Sequence, residues 1–187
     1  MKQLLVMMAA VVSFSVMADE VVFKDRAIGD ALAKRFKKPA GKFLPPSKFT
    51  EAELEEINGL DLADTQITDA GLKDMTKLQK LNALRLEETQ ITDTGLKEVA
   101  KLQKLETLFL NATKITDAGL KEVAKLQKLE WLILDDTQIT DAGLKEVAKM
   151  QNLGSLILDD TKVTKAGVAK LKKALPKCSI HGPHSSP

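Results

Sequence analysis

The sequence predicts an α/β solenoid, a stack of short units that each contain one strand and one helix. A Thr-x-Ile/Val-Thr string recurs at a constant step of 24 residues and begins at Thr65, Thr89, Thr113, Thr137 and Thr161. An apolar-x-x-Leu-x-Leu string precedes each copy, and Asp-x-Gly-Leu-Lys follows four of them. A fixed period over five copies indicates repeats that pack on their neighbours.

Residues 1–18 have the composition of a cleavable signal peptide. Lys2 supplies a positive start, residues 4–16 form an apolar run broken only by serines, and Ala18 is a small residue before the expected cut. The run is short for about 30 Å of hydrocarbon, although an uncleaved membrane anchor is the alternative. We therefore predict export to the periplasm or the cell exterior. The mature chain would begin at Asp19 and contain no transmembrane segment.

Residues 19–56 are predicted to form a helical N-terminal cap. One helix, ending before Pro39, is indicated by apolar residues that share a face: Ile28, Ala31, Leu32 and Phe36. Thr50 and Glu53 have the spacing of a capping box, so a second helix should start near Thr50 and lead into the first strand.

The strand of each repeat is read from its alternating leucines. In Leu84-Arg85-Leu86 the two leucines should point inward and Arg85 outward, because successive side chains of a strand alternate between its faces. The equivalent inward pairs are Leu60/Leu62, Leu108/Leu110, Leu132/Leu134 and Leu156/Leu158.

The threonine that opens each string should lie where the chain turns inside the coil. Its hydroxyl can bond backbone groups there, which an apolar side chain cannot do. We therefore predict a buried threonine ladder along the stack, formed by Thr65, Thr89, Thr113, Thr137 and Thr161.

The second half of each repeat predicts a short helix. Thr92 or Asp93 suits its N-cap, and Leu96, Val99 and Leu102 recur on one face. A glycine recurs inside each first turn, where it costs helix propensity, which indicates tight packing between neighbouring coils.

The solenoid is predicted over residues 57–180, as five repeats plus a terminal strand. Leu175-x-x-Cys178-x-Ile180 repeats the strand spacing and would place Cys178 at an inward position as a buried, inert thiol. A reactive or intermolecular thiol is the alternative. Residues 181–187 are predicted to be a disordered tail.

Composition excludes several classes of function. Lys plus Arg is 28 and Asp plus Glu is 26, a net charge of +2, so no nucleic-acid partner is indicated. With one cysteine and two histidines, and no triad order or phosphate-binding glycine loop, we expect no enzyme, cofactor or metal site. The acidic pairs of the repeats could suggest calcium, but without a dedicated loop they are better explained as a solvated rim.

These motifs resemble the leucine-rich-repeat superfamily. The TxITDAGLKEVAKLxxL pattern looks like short secreted repeat proteins of bacteria, with a helical N-terminal cap similar to that of internalin-like proteins. The resemblance implies a right-handed solenoid with parallel strands on a concave face and short helices on a convex face. It also implies a protein ligand but no specific activity.

Outward strand residues would line the concave face, so candidate binding residues are sought there. Phe109, Ile133 and Ile157 should form one apolar row across adjacent strands, with Trp131 beside it. An apolar centre with a charged rim is common at binding surfaces. The full candidate set is Phe109, Trp131, Ile133, Ile157, Arg85, Glu87, Asp135 and Asp159.

Two classes of function fit the sequence. The first is an exported, monomeric module that holds a protein or peptide, positively charged because residues 49–160 carry 13 basic and 22 acidic residues. The second is a structural or carbohydrate-associated component of the cell envelope that uses the solenoid as a spacer, in which case the outward apolar residues serve only strand propensity.

Overall fold

The computed structural model describes residues 20–38 and 48–182. The expected signal peptide therefore lies outside the described residues, as do Pro39 and the end of the expected tail.

Six three-residue strands form one parallel sheet in sequence order. Each strand pairs with the equivalent residues of the next repeat, so that Leu84 lies beside Leu108 and Leu108 beside Leu132. The strands are β3 (Gly59–Asp61), β4 (Ala83–Arg85), β5 (Thr107–Phe109), β6 (Trp131–Ile133), β7 (Ser155–Ile157) and β8 (Ser179–His181).

A helical segment follows each of the strands β3 to β7. The first is a 3₁₀ helix, Gly71–Lys77, and the others are α3 (Asp93–Val99), α4 (Asp117–Val123), α5 (Leu144–Val147) and α6 (Lys165–Ala174). Threonine, one of the two candidates left open by the sequence, is the N-cap residue of α3, α4 and α6. The alternation of parallel strands with short helices confirms the predicted α/β solenoid.

The core is a single column of aliphatic side chains between the sheet and the helices. Both inward leucines of every repeat are buried. Leu96, Val99 and Leu102 close the other side of their coil and are at most 1% exposed. Each repeat thus buries its apolar residues against the next coil, since one coil alone has no second layer to cover them.

A conserved geometry joins each coil to the next: the carboxylate of one repeat bonds the threonine that starts the next helix. Asp69 Oδ1 accepts a hydrogen bond from the Thr92 amide at 2.9 Å, and its Oδ2 accepts one from the Thr92 hydroxyl. The other pairs are Asp93–Thr116, Asp117–Thr140 and Asp141–Thr164. The sequence analysis had assigned these aspartates only to helix starts.

The same carboxylates explain the recurring glycines. A Cβ built on Gly95 would overlap the Asp69 carboxylate and lie 2.8 Å from Leu72 Cδ1. Gly119, Gly143 and Gly167 meet the preceding repeat in the same way. Close approach between neighbouring coils is therefore the reason for glycine, as predicted.

The N-terminal cap contains a small sheet that the sequence did not reveal. Strand β1 (Glu20–Val22) pairs antiparallel with β2 (Lys48–Thr50), beside helices α1 (Arg26–Arg35) and α2 (Glu51–Glu55). The Thr50–Glu53 capping box is present at the start of α2. The Asp25 carboxylate caps α1 and lies against Gly71, so the cap continues the aspartate–glycine packing of the repeats.

The C-terminal register differs from the expectation by two residues. Ile180 pairs with Leu156 and is the buried residue of β8, so Ile180 takes the inward position that the sequence assigned to Cys178. Cys178 lies before the strand as a half-buried free thiol, and burial raises its pKa. His181 ends β8, so the last strand includes the first residue of the expected tail.

Candidate functional site

The candidate site is the strand face, which we define as the outward side chains of β3–β8 and of the two residues that follow each strand. These side chains form three rows that cross the sheet, because equivalent residues of neighbouring repeats pair in register. Adjacent strands are about 4.8 Å apart, and successive outward residues of one strand are about 6.6 Å apart.

The first row consists of small residues and one tryptophan. Trp131 lies between Thr107 and Ser155, its partners on the two neighbouring strands. Its residue surface is 55% exposed, whereas Val22 in the cap, 39% exposed, is the other large apolar residue exposed in the described chain. Small neighbours leave both faces of the indole open to solvent.

The second row is apolar and half-buried. Phe109 pairs with Ile133, and Ile133 pairs with Ile157, so the three side chains are contiguous across β5–β7. Arg85 occupies this row on β4, and its guanidinium carbon lies 5.5 Å from the centre of the Phe109 ring. A cation–π contact of this kind attracts a cation to the ring face.

Two carboxylates hold Arg85 in that position. Its Nε and Nη2 donate to Glu87 Oε1 at 2.7 and 2.5 Å, and its Nη1 donates to Asp61 Oδ2 at 3.3 Å. Glu87, with Asp61, raises the pKa of the guanidinium, so Arg85 is a permanent cation.

Glu87 does not stand in the solvent as the strand alternation predicted. It is 9% exposed, and its Oε2 has no hydrogen-bond partner in the described structure. The ion pair with Arg85 draws the side chain down onto the sheet, an effect that a strand period cannot anticipate. Glu87 is therefore a support for Arg85 more than a contact surface.

The third row is acidic over β6 and β7. Asp135 and Asp159 are half-buried neighbours, and Asp135 Oδ1 accepts a hydrogen bond from the Asp159 amide at 3.0 Å. Burial raises the pKa of Asp135, and the charges of Asp159 and Asp160 raise it further. This row is thus a site of unrelieved negative charge.

One residue per repeat beside this row adopts a left-handed backbone conformation. These residues are Asp64, Glu88, Ala112, Asp136 and Asp160, with φ between 49° and 57°. Four of the five carry a carboxylate. The proximity of Asp64 raises the pKa of Glu88 through charge repulsion and a shared hydrogen bond.

The threonines of the expected ladder lie beneath the strand face. Each hydroxyl donates to the carbonyl of the leucine three residues earlier, at 2.5 to 2.7 Å. Thr89, Thr113 and Thr137 are buried, at most 6% exposed. Thr65 and Thr161 are only half-buried, contrary to the expectation, since each lies in an end repeat with fewer neighbouring coils.

Residues 20–38 and 48–182 contain no group of three or more His, Cys, Asp or Glu placed to hold a metal ion. Within the same ranges no helix is long and apolar enough to cross a membrane.

The repeat geometry agrees with the comparisons with known proteins. The family model described as "Leucine Rich repeat" matches residues 59–75 and 77–100, which are the strands and helices of the first two repeats. The chain is a leucine-rich-repeat protein. The same strand register continues through β8, beyond the residues that the model matches. The comparison with curated proteins finds no match.

Three solved structures are similar to this leucine-rich-repeat chain. Internalin C2 of Listeria monocytogenes is 23% identical, with a TM-score of 0.46, over 86% of this chain and 84% of that one. A leucine-rich-repeat protein of Leptospira interrogans is 29% identical, with a TM-score of 0.50, over 68% of this chain and 38% of that one. The Listeria monocytogenes internalin inlF is 19% identical, with a TM-score of 0.51, over 86% and 56%. The chain thus spans well under two thirds of the last two, and these likenesses concern the fold.

Proposed function

We propose that this leucine-rich-repeat protein is an exported, non-enzymatic recognition module whose strand face binds a protein or peptide. Leucine-rich-repeat proteins are typically binding modules, and their repeats create extended surfaces on which a partner can lie. Export is supported by the charged start and apolar run of residues 1–18.

Trp131 carries the proposal. Tryptophan is enriched among residues that dominate binding energy, and this one is exposed beside the half-buried row of Phe109, Ile133 and Ile157. The proposed site also contains Arg85, Asp135 and Asp159, which supply a charged rim, with Glu87 holding Arg85 in place.

The test compares proteins retained from the envelope fraction of the native organism by wild type, by Trp131→Ser and by Val22→Ser. Val22 is the matched control, because it is an exposed apolar residue in the cap and away from the strand face. We expect a protein that wild type and Val22→Ser retain and Trp131→Ser loses. The same set of proteins from all three would contradict the proposal and favour the envelope spacer.

Export is tested separately by the intact mass of the protein recovered from its native host. We expect a chain that begins at Asp19, because a signal peptidase would cut after Ala18. A cytoplasmic chain that retains Met1 would contradict this part of the proposal.

A further inference from the structure

The strand face is negatively charged, and its cation is already engaged. Its outward and left-handed positions carry eight carboxylates, those of Asp61, Asp64, Glu87, Glu88, Asp135, Asp136, Asp159 and Asp160. Arg85 answers Asp61 and Glu87. No ion pair in the described chain answers the four aspartates of β6 and β7. A complementary partner therefore brings positive charge to that side of the face.

The three rows also define the shape that fits. The tryptophan row and the acidic row are separated by the apolar row, and the distance across all three is about 13 Å. An α-helix with its side chains is about 10–12 Å wide. A helix laid across the strands would thus touch Ile133 beneath it, Trp131 on one side and Asp135 on the other.

The spacing along the rows distinguishes a helix from an extended chain. Equivalent side chains recur every 4.8 Å or so along the sheet, whereas a helix presents a side chain to one side about every 5.4 Å and an extended strand about every 6.6 Å. Over the three spacings from β4 to β7 the helix drifts by about 2 Å and the extended chain by about 5 Å, a full strand. A helix therefore stays in register with the rows.

From these observations we infer that the partner bound by the strand face is a cationic amphipathic helix. Its apolar stripe lies on Phe109, Ile133 and Ile157, and Lys or Arg along one flank faces Asp135 and Asp159. This deepens the proposed function and rests on it. A second copy of this chain does not supply such a helix, because the basic helix α6 already buries Leu171 in its own core.

The test measures binding of two dye-labelled peptides of the same Leu, Lys and Ala composition by fluorescence anisotropy. In the first, leucines follow a helical period with lysines along one flank; in the second, leucine and lysine alternate with the period of a strand. We expect the helical peptide to bind at least tenfold more tightly. Equal or tighter binding of the alternating peptide would overturn the helix inference while leaving recognition by the strand face intact.

Variants locate the peptide on the protein. Trp131→Ser should weaken the helical peptide by about 30-fold, as expected for loss of a central anchor. The double variant Asp135→Asn/Asp159→Asn should weaken it about tenfold by removing two charges. Glu51→Gln/Glu56→Gln is the matched control, since both glutamates are exposed in the cap, and its affinity should equal that of wild type.

Two results would overturn the inference. One is equal affinity in all variants, which would indicate attraction to acidic surface in general. The other is no binding of the helical peptide to protein whose circular dichroism shows it folded. In the second case the retention of native proteins by wild type and not by Trp131→Ser would still support the proposed function, so the two failures are distinguishable.

Discussion

Asp93 and Thr116 are joined by two hydrogen bonds across the boundary between neighbouring repeats. Asp93 Oδ1 accepts from the Thr116 amide at 2.8 Å, and Asp93 Oδ2 accepts from the Thr116 hydroxyl at 2.6 Å. The Thr116 hydroxyl in turn accepts from the Ala118 amide at 3.3 Å, at the start of α4. One carboxylate therefore fixes where the next helix begins.

Asp93→Ala should destabilise the protein by about 1–3 kcal/mol, because the partly buried Thr116 amide loses its acceptor. Asp93→Asn should cost less, since an amide oxygen can still accept from that N–H. Urea unfolding measures both, with Lys97→Ala on the exposed side of α3 as the control. Equal losses for Asp93→Ala and Lys97→Ala would contradict the role of the carboxylate.

Gly119→Ala should also destabilise the protein, by about 1–3 kcal/mol, as overpacked sites do. Its new methyl would overlap the Asp93 carboxylate and lie 2.7 Å from Leu96 Cδ1. Gly154→Ala is the control, because its methyl would meet only the Glu130 carbonyl oxygen at 3.7 Å. That change should stay within about 0.5 kcal/mol in urea unfolding. A neutral Gly119→Ala would show that the coils have room to separate.

Thr113→Val removes a buried hydroxyl while keeping the shape of the side chain. The Leu110 carbonyl loses the hydrogen bond that Thr113 Oγ1 donates at 2.5 Å, which should cost about 1–3 kcal/mol. Lys114→Ala, one residue along and exposed, should be nearly silent. Similar shifts of the two urea midpoints would mean that the hydroxyl contributes nothing to folding.

Asp135→Asn should stabilise the protein at neutral pH. Burial and neighbouring acids raise the pKa of Asp135 above its ordinary value of 3.8, so the folded state binds its proton more readily than the unfolded state. The ionised group therefore opposes folding above the folded pKa, and that penalty disappears as pH falls below 3.8. Asparagine keeps an oxygen for the Asp159 amide without the charge.

Urea unfolding of Asp135→Asn at several pH values checks this. Its midpoint should exceed that of wild type at pH 7 and converge with it at acid pH. Glu51→Gln, in the exposed cap, should show no such convergence. A less stable Asp135→Asn at pH 7 would mean that a cationic group offsets the charge.

The solenoid was predictable because one period governs both its strands and its packing. Leu84 and Leu86 alternate with Arg85, and the same alternation recurs 24 residues later, so strand, face and register follow together. Trp131 points outward for the same reason, since the leucine after it points inward.

The parts that were missed depend on contacts between particular side chains. The strand period placed Glu87 in solvent, but pairing with Arg85 buries it. The cap strand β1 has no repeat to reveal it, because it pairs with β2 some 30 residues away. Cys178 was misplaced because the last coil inserts residues between helix and strand that the leucine spacing alone does not count.

The aspartate–threonine link also determines how the length of this protein can change. Since each carboxylate bonds a residue 23 positions later, removing residues 93–116 would join Thr92 to Asp117 and leave every remaining pair intact. The shortened molecule would keep its ends and lose one strand, bringing Ile133 beside Arg85. Such a protein could be made and purified, and its reach along a partner would shrink by a single step of about 4.8 Å. The solenoid is therefore a ruler whose graduations can be added or deleted whole.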